Sequence, residues 1–423
     1  MKNNLIELGK RHGMDIEIYE EKTNKCEINT LNDTLKSFEV SDVSTFIIKA
    51  IKEGKFAKIV TEKIDADMII ENLEAVFLLQ DNTNENRLSK GVIKSLIDTR
   101  EDIDYEKVKK DLFSLVELKK DYPMIKSIEA SFGHYQNGKF IINKNATLEQ
   151  EGVFTLLMVS ITLQKDAVTK IMYFSFYNNC YDFTSFLVEV KKKLDRMVLK
   201  IDSRSCKTNK YKVILQNNVV ADLLGTFVGM FHAKDIYLKE SILADKFNTK
   251  IFSDKISVIE DPKGDSALIK EAFDDEGVET QFKTIVENGV FVKQINNIEY
   301  ALKLNTEATG NAGGVNNLYI KEKNSSFDQL VNKMQNGIII DEAFGFHSGV
   351  DTKSGNISLQ AEGLVVEDGK IVRALHMIIL STNLFELFNS VIDVGNDMSN
   401  TDLEIRCPSI LFENITIAGE ENE

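Results

Sequence analysis

Four times along the chain, two apolar-rich segments flank a turn dipeptide: FIIKAIKEGKFAKIV, HYQNGKFIINK, TIVENGVFVKQ and GLVVEDGKIVRAL. Glycine, best when Asn or Asp precedes it, supplies the positive φ that tight two-residue hairpins require. The pattern therefore predicts four hairpins and largely antiparallel sheet. The hairpins recur at no fixed period, which argues against a solenoid. Apolar residues at helical spacing predict helices over 66–80, 104–120 and 182–199. In the last of these, Phe183, Phe186, Leu187, Val190, Leu194, Met197 and Val198 share one stripe. Between the second and third helices lies a meander: SIEASFGHYQ, GKFIINKNATLEQ, GVFTLLMVSITLQ and VTKIMYFSFY.

After Leu199 the polar segment KIDSRSCKTNK reads as a linker. This divides the chain into an N-terminal α/β region over 1–205, with a sub-boundary near 100, and a β-rich C-terminal domain over 206–423. Short helices are expected near 327–335 and 383–391. The expected class is α+β, and 423 residues are too many for one compact core.

Composition narrows the function classes. Apolar residues make up 43% and charged residues 28%, a globular balance. No apolar run approaches the roughly 20 residues of a membrane span, and the start MKNNLIELGKRHGMD is not a signal peptide. These features predict a cytoplasmic protein with no membrane partner. The net charge of −15 and the lack of a basic stripe count against nucleic acid as a partner. The short basic pieces VKKDLF and EVKKKLD read as solvated helix faces. Cys26, Cys180, Cys206 and Cys407 lie far apart with no C-x-x-C pair, against a disulfide framework or a zinc ribbon.

Motifs are sparse. GFHSGVD is not a G-x-S-x-G elbow, and neither phosphate-binding glycine motif occurs. The Gly-rich EATGNAGGVNN (307–317) either cradles an anion on its backbone N–H groups or is a tight irregular loop. The acidic EAFDDEGVETQ (271–281) reads as a solvated strand edge and turn, and DADM (65–68) as a helix cap. His12, His134, His347 and His376 belong to no metal motif, and His376 alternates with apolar residues like a strand position. In ADLLGTFVGMFHAKD (221–235), Val220, Leu223, Leu224, Phe227, Val228 and Phe231 form one helical face. His232 falls on its flank beside Gly225 and Gly229, with Asp235 in reach of its imidazole and no co-ligand one turn earlier.

Several stretches, in order, carry a family resemblance: LIELGKRHGMDIEIYEEK, FDDEGVETQFKTIVENGVF, EATGNAGGVNNLYI, GLVVEDGKIV with STNLFELFNSVIDVGNDM, and CPSILFENITIAG. The chain resembles the TldD/PmbA family, on its PmbA (TldE) branch. The resemblance implies an N-terminal α/β part and a mainly antiparallel C-terminal part. The TldD branch carries H-E-x-x-x-H and a C-terminal cysteine that hold zinc, with Glu activating water. Here those motif positions are Gly225, Thr226 and Met230, and Cys407 stands where the cysteine would be.

The resemblance thus implies no metal and no cofactor in this chain, with zinc only in a TldD-like partner. It implies a noncatalytic subunit that shapes a chamber and binds extended or unfolded peptide, as a heterodimer with that partner or as a homodimer. The family's association with DNA gyrase is set against the chain's charge, which opposes direct contact with DNA. Thr309, Gly310, Asn311, Gly313, Gly314 and Asn316 are the candidate peptide-binding residues. The alternatives are a stand-alone homodimeric scaffold, or a hydrolase with an unrecognised site around TGNAGG and FDDEG.

Overall fold

Asp15–Leu31 (β1) and Thr34–Lys52 (β2) form a long antiparallel hairpin turned at Asn32, whose φ is 51°. The structure, a computed structural model, describes residues 1–82, 87–91, 93–97 and 102–420. The sub-boundary expected near residue 100 lies outside the described residues. Strand β2 turns at Glu53–Gly54 into Lys55–Thr61 (β3). On its other side β1 pairs with Ile125–Ile142 (β5), and β5 with Thr147–Lys165 (β6). Both Leu96–Ile97 (β4, parallel) and Val168–Asn178 (β7) pair with β6.

The helices cover this sheet with their apolar stripes. Lys2–Arg11 (α1) and Ala66–Leu78 (α2) bury Leu5, Ile69, Leu73 and Phe77 against Ile16, Ile18 and Ile48. Asp65 caps α2 by accepting from the Met68 N–H at 3.2 Å. Tyr105–Ser114 (α3), Leu118–Asp121 (α4) and Phe183–Ile201 (α5) cover the rest. Val108, Leu112, Phe186, Val190 and Leu194 there meet Phe132, Leu157 and Phe174.

The second half starts with Asn209–Leu215 (β8), Asn217–Phe227 (α6) and Ala233–Tyr237 (α7). A five-stranded sheet follows, built from Val258–Glu260 (β9), Lys283–Glu287 (β10), Val290–Phe291 (β11) and Leu318–Ile320 (β12), with Ile298–Leu304 (α8) between the last two. Phe327–Met334 (α9), Gly337–Phe344 (β13), Phe346–Gly349 (α10), Val350–Asp351 (β14), Asn356–Glu367 (β15) and Lys370–Asn383 (β16) come next. Leu384–Asn389 (α11), Val391–Val394 (β17), Ile405–Arg406 (β18) and Ile410–Gly419 (β19) finish the chain; β18 joins the five-stranded sheet beside β12. Strands run β13-β8-β19-β16-β15, and β15 pairs back with β13, so the ring closes. Closure removes sheet edges. Val213, Leu215, Ile338 and Ile340 face α6, while Ile214 and Ile339 face Leu330 and Met334 of α9. Burial on both faces explains why KVIL and GIII read as continuous apolar runs.

The largely antiparallel α+β architecture stands, and several local expectations are corrected. Asn137-Gly138 makes no turn. It lies inside β5, paired on one side with Thr23 and Lys22 and on the other with Gly152 and Glu151. Two flanking ladders outweigh a local turn preference. The turn comes at Asn143, whose side-chain oxygen accepts from the N–H groups of Asn145 (2.7 Å) and Ala146 (2.8 Å). The expected linker after Leu199 is anchored: Lys200 is 1% exposed, Cys206 is buried, and Arg204 bridges to Leu375 of β16.

The acidic stretch 271–281 is no solvated edge. Asp274 is 2% exposed and accepts from the N–H groups of Glu276, Val278 and Ala312 at 2.8–2.9 Å. Asp275 accepts from the Tyr19 hydroxyl (3.0 Å) and Lys139 (2.8 Å), fastening this stretch to the N-terminal sheet. In EVKKKLD, Lys193 is half-buried rather than solvated. No helix among the described residues is long and apolar enough to cross a membrane.

Candidate functional site

Helix α6 buries Val219, Val220, Leu223, Leu224 and Phe227 in the barrel core and turns Asp222, Gly225 and Thr226 outward. It stops at Phe227; Val228–Phe231 is a 3₁₀ turn and His232 is extended, with φ −73° and ψ 128°. His232 therefore does not share a helix with Gly225, which corrects the single helical face expected over 220–232. The reason is a tertiary contact: His232 bridges to Ile295 and caps α7, and the Ala233 N–H donates to the Ile295 carbonyl. The His232 Nε2 is buried without a partner. Burial lowers its pKa despite the field of Asp235, so the ring is neutral at pH 7.

The positions that the family resemblance assigns to the zinc motif hold the following groups. Gly225 offers no donor, although a Cβ there would meet only the Ile405 side chain at 3.4 Å, so packing does not demand glycine. The Thr226 hydroxyl donates to the Asp222 carbonyl one turn back, at 2.8 Å. Met230 is 5% exposed and belongs to the core. Cys407 follows β18 alongside α6 and is fully buried. Burial, with smaller contributions from Asp222 and Asp402, pushes its thiol up to about 12. Zinc takes thiolate, imidazole or carboxylate ligands. A glycine, a tied hydroxyl and a core thioether are not such ligands, and the described residues contain no group of three or more His, Cys, Asp or Glu placed to hold a metal.

The 307–317 loop encloses a buried ion pair. Glu260 is 1% exposed and accepts from Lys283 (3.0 Å), the Asn311 amide (2.8 Å) and the Asn316 N–H (3.0 Å). Lys283 also donates to the Thr309 carbonyl, and the Thr309 hydroxyl donates to the Asn311 side chain at 2.8 Å. Gly310 has a φ of 76°, and a Cβ there would stand 2.8 Å from the Glu279 carbonyl oxygen. Gly313 crowds the Asp275 carboxylate, whereas Gly314 faces open space. Thr309, Asn311 and Asn316 therefore spend their polar groups inside the protein, and Gly313 with Gly314 forms the accessible part.

Sequence reasoning missed two groups near α6. Lys200 of α5 reaches Asp341 of β13 at 2.9 Å, with Glu342 and Glu362 at 3.5 Å. One and two turns earlier on α5, Arg196 and Lys193 face the start of α6 across a cleft. Their spacing on a helix with an opposite apolar stripe was the available signal.

Residues 208–419 match the model of a family described as PmbA/TldA metallopeptidase C-terminal domain. The chain is similar to a metalloprotease PmbA homolog of Buchnera aphidicola subsp. Acyrthosiphon pisum, 25% identical over 98% of this chain and 96% of the relative. It is 32% identical to metalloprotease PmbA of Escherichia coli O157:H7 over 53% of this chain and 49% of that protein. The fold is that of TldE from Thermococcus kodakarensis, with a TM-score of 0.83 at 19% identity, covering 99% of this chain and 100% of that one. With the family model matched across half its length, the chain belongs to the PmbA/TldD family.

Proposed function

We propose that this chain is the zinc-less, noncatalytic subunit of a cytoplasmic metallopeptidase complex of the TldD/TldE type. It shapes the chamber and binds extended or unfolded peptide, while a TldD-like partner carries the zinc. The observation that carries this reading is the chemistry around α6, where Gly225, Thr226 and Met230 offer neither ligand nor base and leave Cys407 without a co-ligand. The outer edge of β2 supports peptide binding by strand addition, since β3 joins β2 only from Phe46 onward.

The test is zinc content by elemental analysis of the purified chain, together with cleavage of an unfolded peptide with and without a TldD-like subunit. The expected result is far less than one zinc per chain, no cleavage alone, and chelator-sensitive cleavage on mixing. Zinc near one per chain, or robust cleavage by the chain alone, sinks the proposal. A stable homodimer that ignores the TldD-like subunit favours the stand-alone scaffold instead.

A further inference from the structure

A cleft of about 720 Å³ opens between α5, the first turn of α6, the start of α9 and residues 396–401. Lys193 and Arg196, one turn apart on α5, line it. Each lies over an aromatic ring: the Lys193 ammonium is 5.3 Å from the Phe174 centroid, and the Arg196 guanidinium 5.4 Å from that of Phe327. Among the described residues, neither cation has a hydrogen-bond or ion-pair partner.

Most of the nearby carboxylates are engaged elsewhere. Glu189 is held by Lys192 at 2.6 Å, Asp182 caps α5 through the Ser185 N–H, and Asp397 accepts from Ser409 at 2.7 Å. Asp341 and Glu342, which act on Lys193 from behind, are bound by Lys200. Asp328 stands exposed at the rim, and Asp222 feels Lys193 from the next turn of α6. Burial holds the Lys193 ammonium below its usual range against the pull of Glu342 and Asp341, and Arg196 likewise feels Asp397.

Two further features bear on what the cleft accepts. The Gln216 side chain leaves α6 uncapped, and its carbonyl oxygen is buried without a donor. An occupant that brings both an anion and an N–H group would complete the site. Carboxylate is the anion that a peptide itself supplies, and Lys193 and Arg196, one turn apart on α5, each offer a charged donor to it.

We propose that this cleft is a carboxylate subsite for bound peptide, in which Lys193 and Arg196 hold the carboxylate and Gln216 accepts a peptide N–H. This rests on the peptide-binding reading above. The carboxylate comes either from the peptide C-terminus or from an acidic side chain.

The experiment is fluorescence anisotropy of the full chain with an N-terminally labelled, unstructured decapeptide lacking Asp and Glu. The peptide is used as the free acid, as the C-terminal amide, and as an amide with one internal Glu. The free acid should bind about tenfold or more tighter than the plain amide, the scale of one charge-assisted contact. Lys193→Gln and, separately, Arg196→Gln should bring that ratio within about twofold while leaving amide binding and the circular dichroism spectrum unchanged. Tight binding of the Glu-containing amide supports the same subsite with a side-chain carboxylate. Equal binding of all three peptides by the unaltered chain overturns the subsite and leaves peptide binding intact. Binding of none overturns both.

Discussion

Asp222 is the one ionisable side chain on the outward face of α6 near the motif positions. Its carboxyl is pushed up to about 6, chiefly by burial and then by Asp402, with Lys193 opposing. An unfolded Asp titrates near 3.9. A folded pKa above the unfolded one means stability that is complete below about pH 4 and declines as pH rises through 6. Asp222→Asn removes that loss. The variant should melt about 1–2 °C above the parent at pH 7.5, a shift kept small by solvent screening, and level with it at pH 4. Calorimetry at the two pH values checks this, and a lower melting point at pH 7.5 contradicts it. The residue types at 225, 226 and 230 were legible in the sequence. The state of Cys407 was not, because a thiol's pKa depends on what surrounds it.

At the scale of elements, the Gly dipeptides separate local from tertiary control. Glu53-Gly54, Asn288-Gly289 and Asp368-Gly369 turn the chain with positive φ at both residues, as type I′ hairpins require. Asn137-Gly138 has the same letters and sits flat in β5. The two classes should respond differently to alanine. Gly289 has a φ of 81°, and a Cβ there would stand 2.1 Å from the Phe252 carbonyl oxygen, so Gly289→Ala should cost about 1–3 kcal/mol. At Gly138 the nearest atoms to a Cβ lie at 3.8–3.9 Å. Gly138→Ala should therefore change stability by less than about 0.5 kcal/mol in urea unfolding. Equal costs at the two positions would contradict the assignment. The helices were easier to read, because an apolar stripe such as Phe186, Val190, Leu194 and Met197 is a property of the segment itself.

At the scale of the whole molecule, α5 is tied to the barrel through charge. Lys200 meets three carboxylates of β13 and β15, and Lys170 of β7 adds a 2.7 Å contact to Glu362. Removing one member strands a buried opposite charge. Lys200→Met should lower unfolding stability by about 3–5 kcal/mol, and adding Asp341→Asn should restore part of it. Urea melts of the single and double variants test the coupling, which is refuted if the double variant loses the sum of the two single costs or more.

What the sequence determined by itself was local or compositional: helix stripes, three of the four turns, the α+β class, and the residue types at Gly225, Thr226 and Met230. These depend on residues close together in the chain. The tertiary structure decided the rest. It closed a barrel by pairing β13 with β15, ran β5 straight through an Asn-Gly, and buried the polar groups of 307–317 around Glu260. It also set Lys193 and Arg196 against a cleft whose other wall begins at Gln216. Each of these rests on contacts between residues far apart in sequence, and their energies have no local signature.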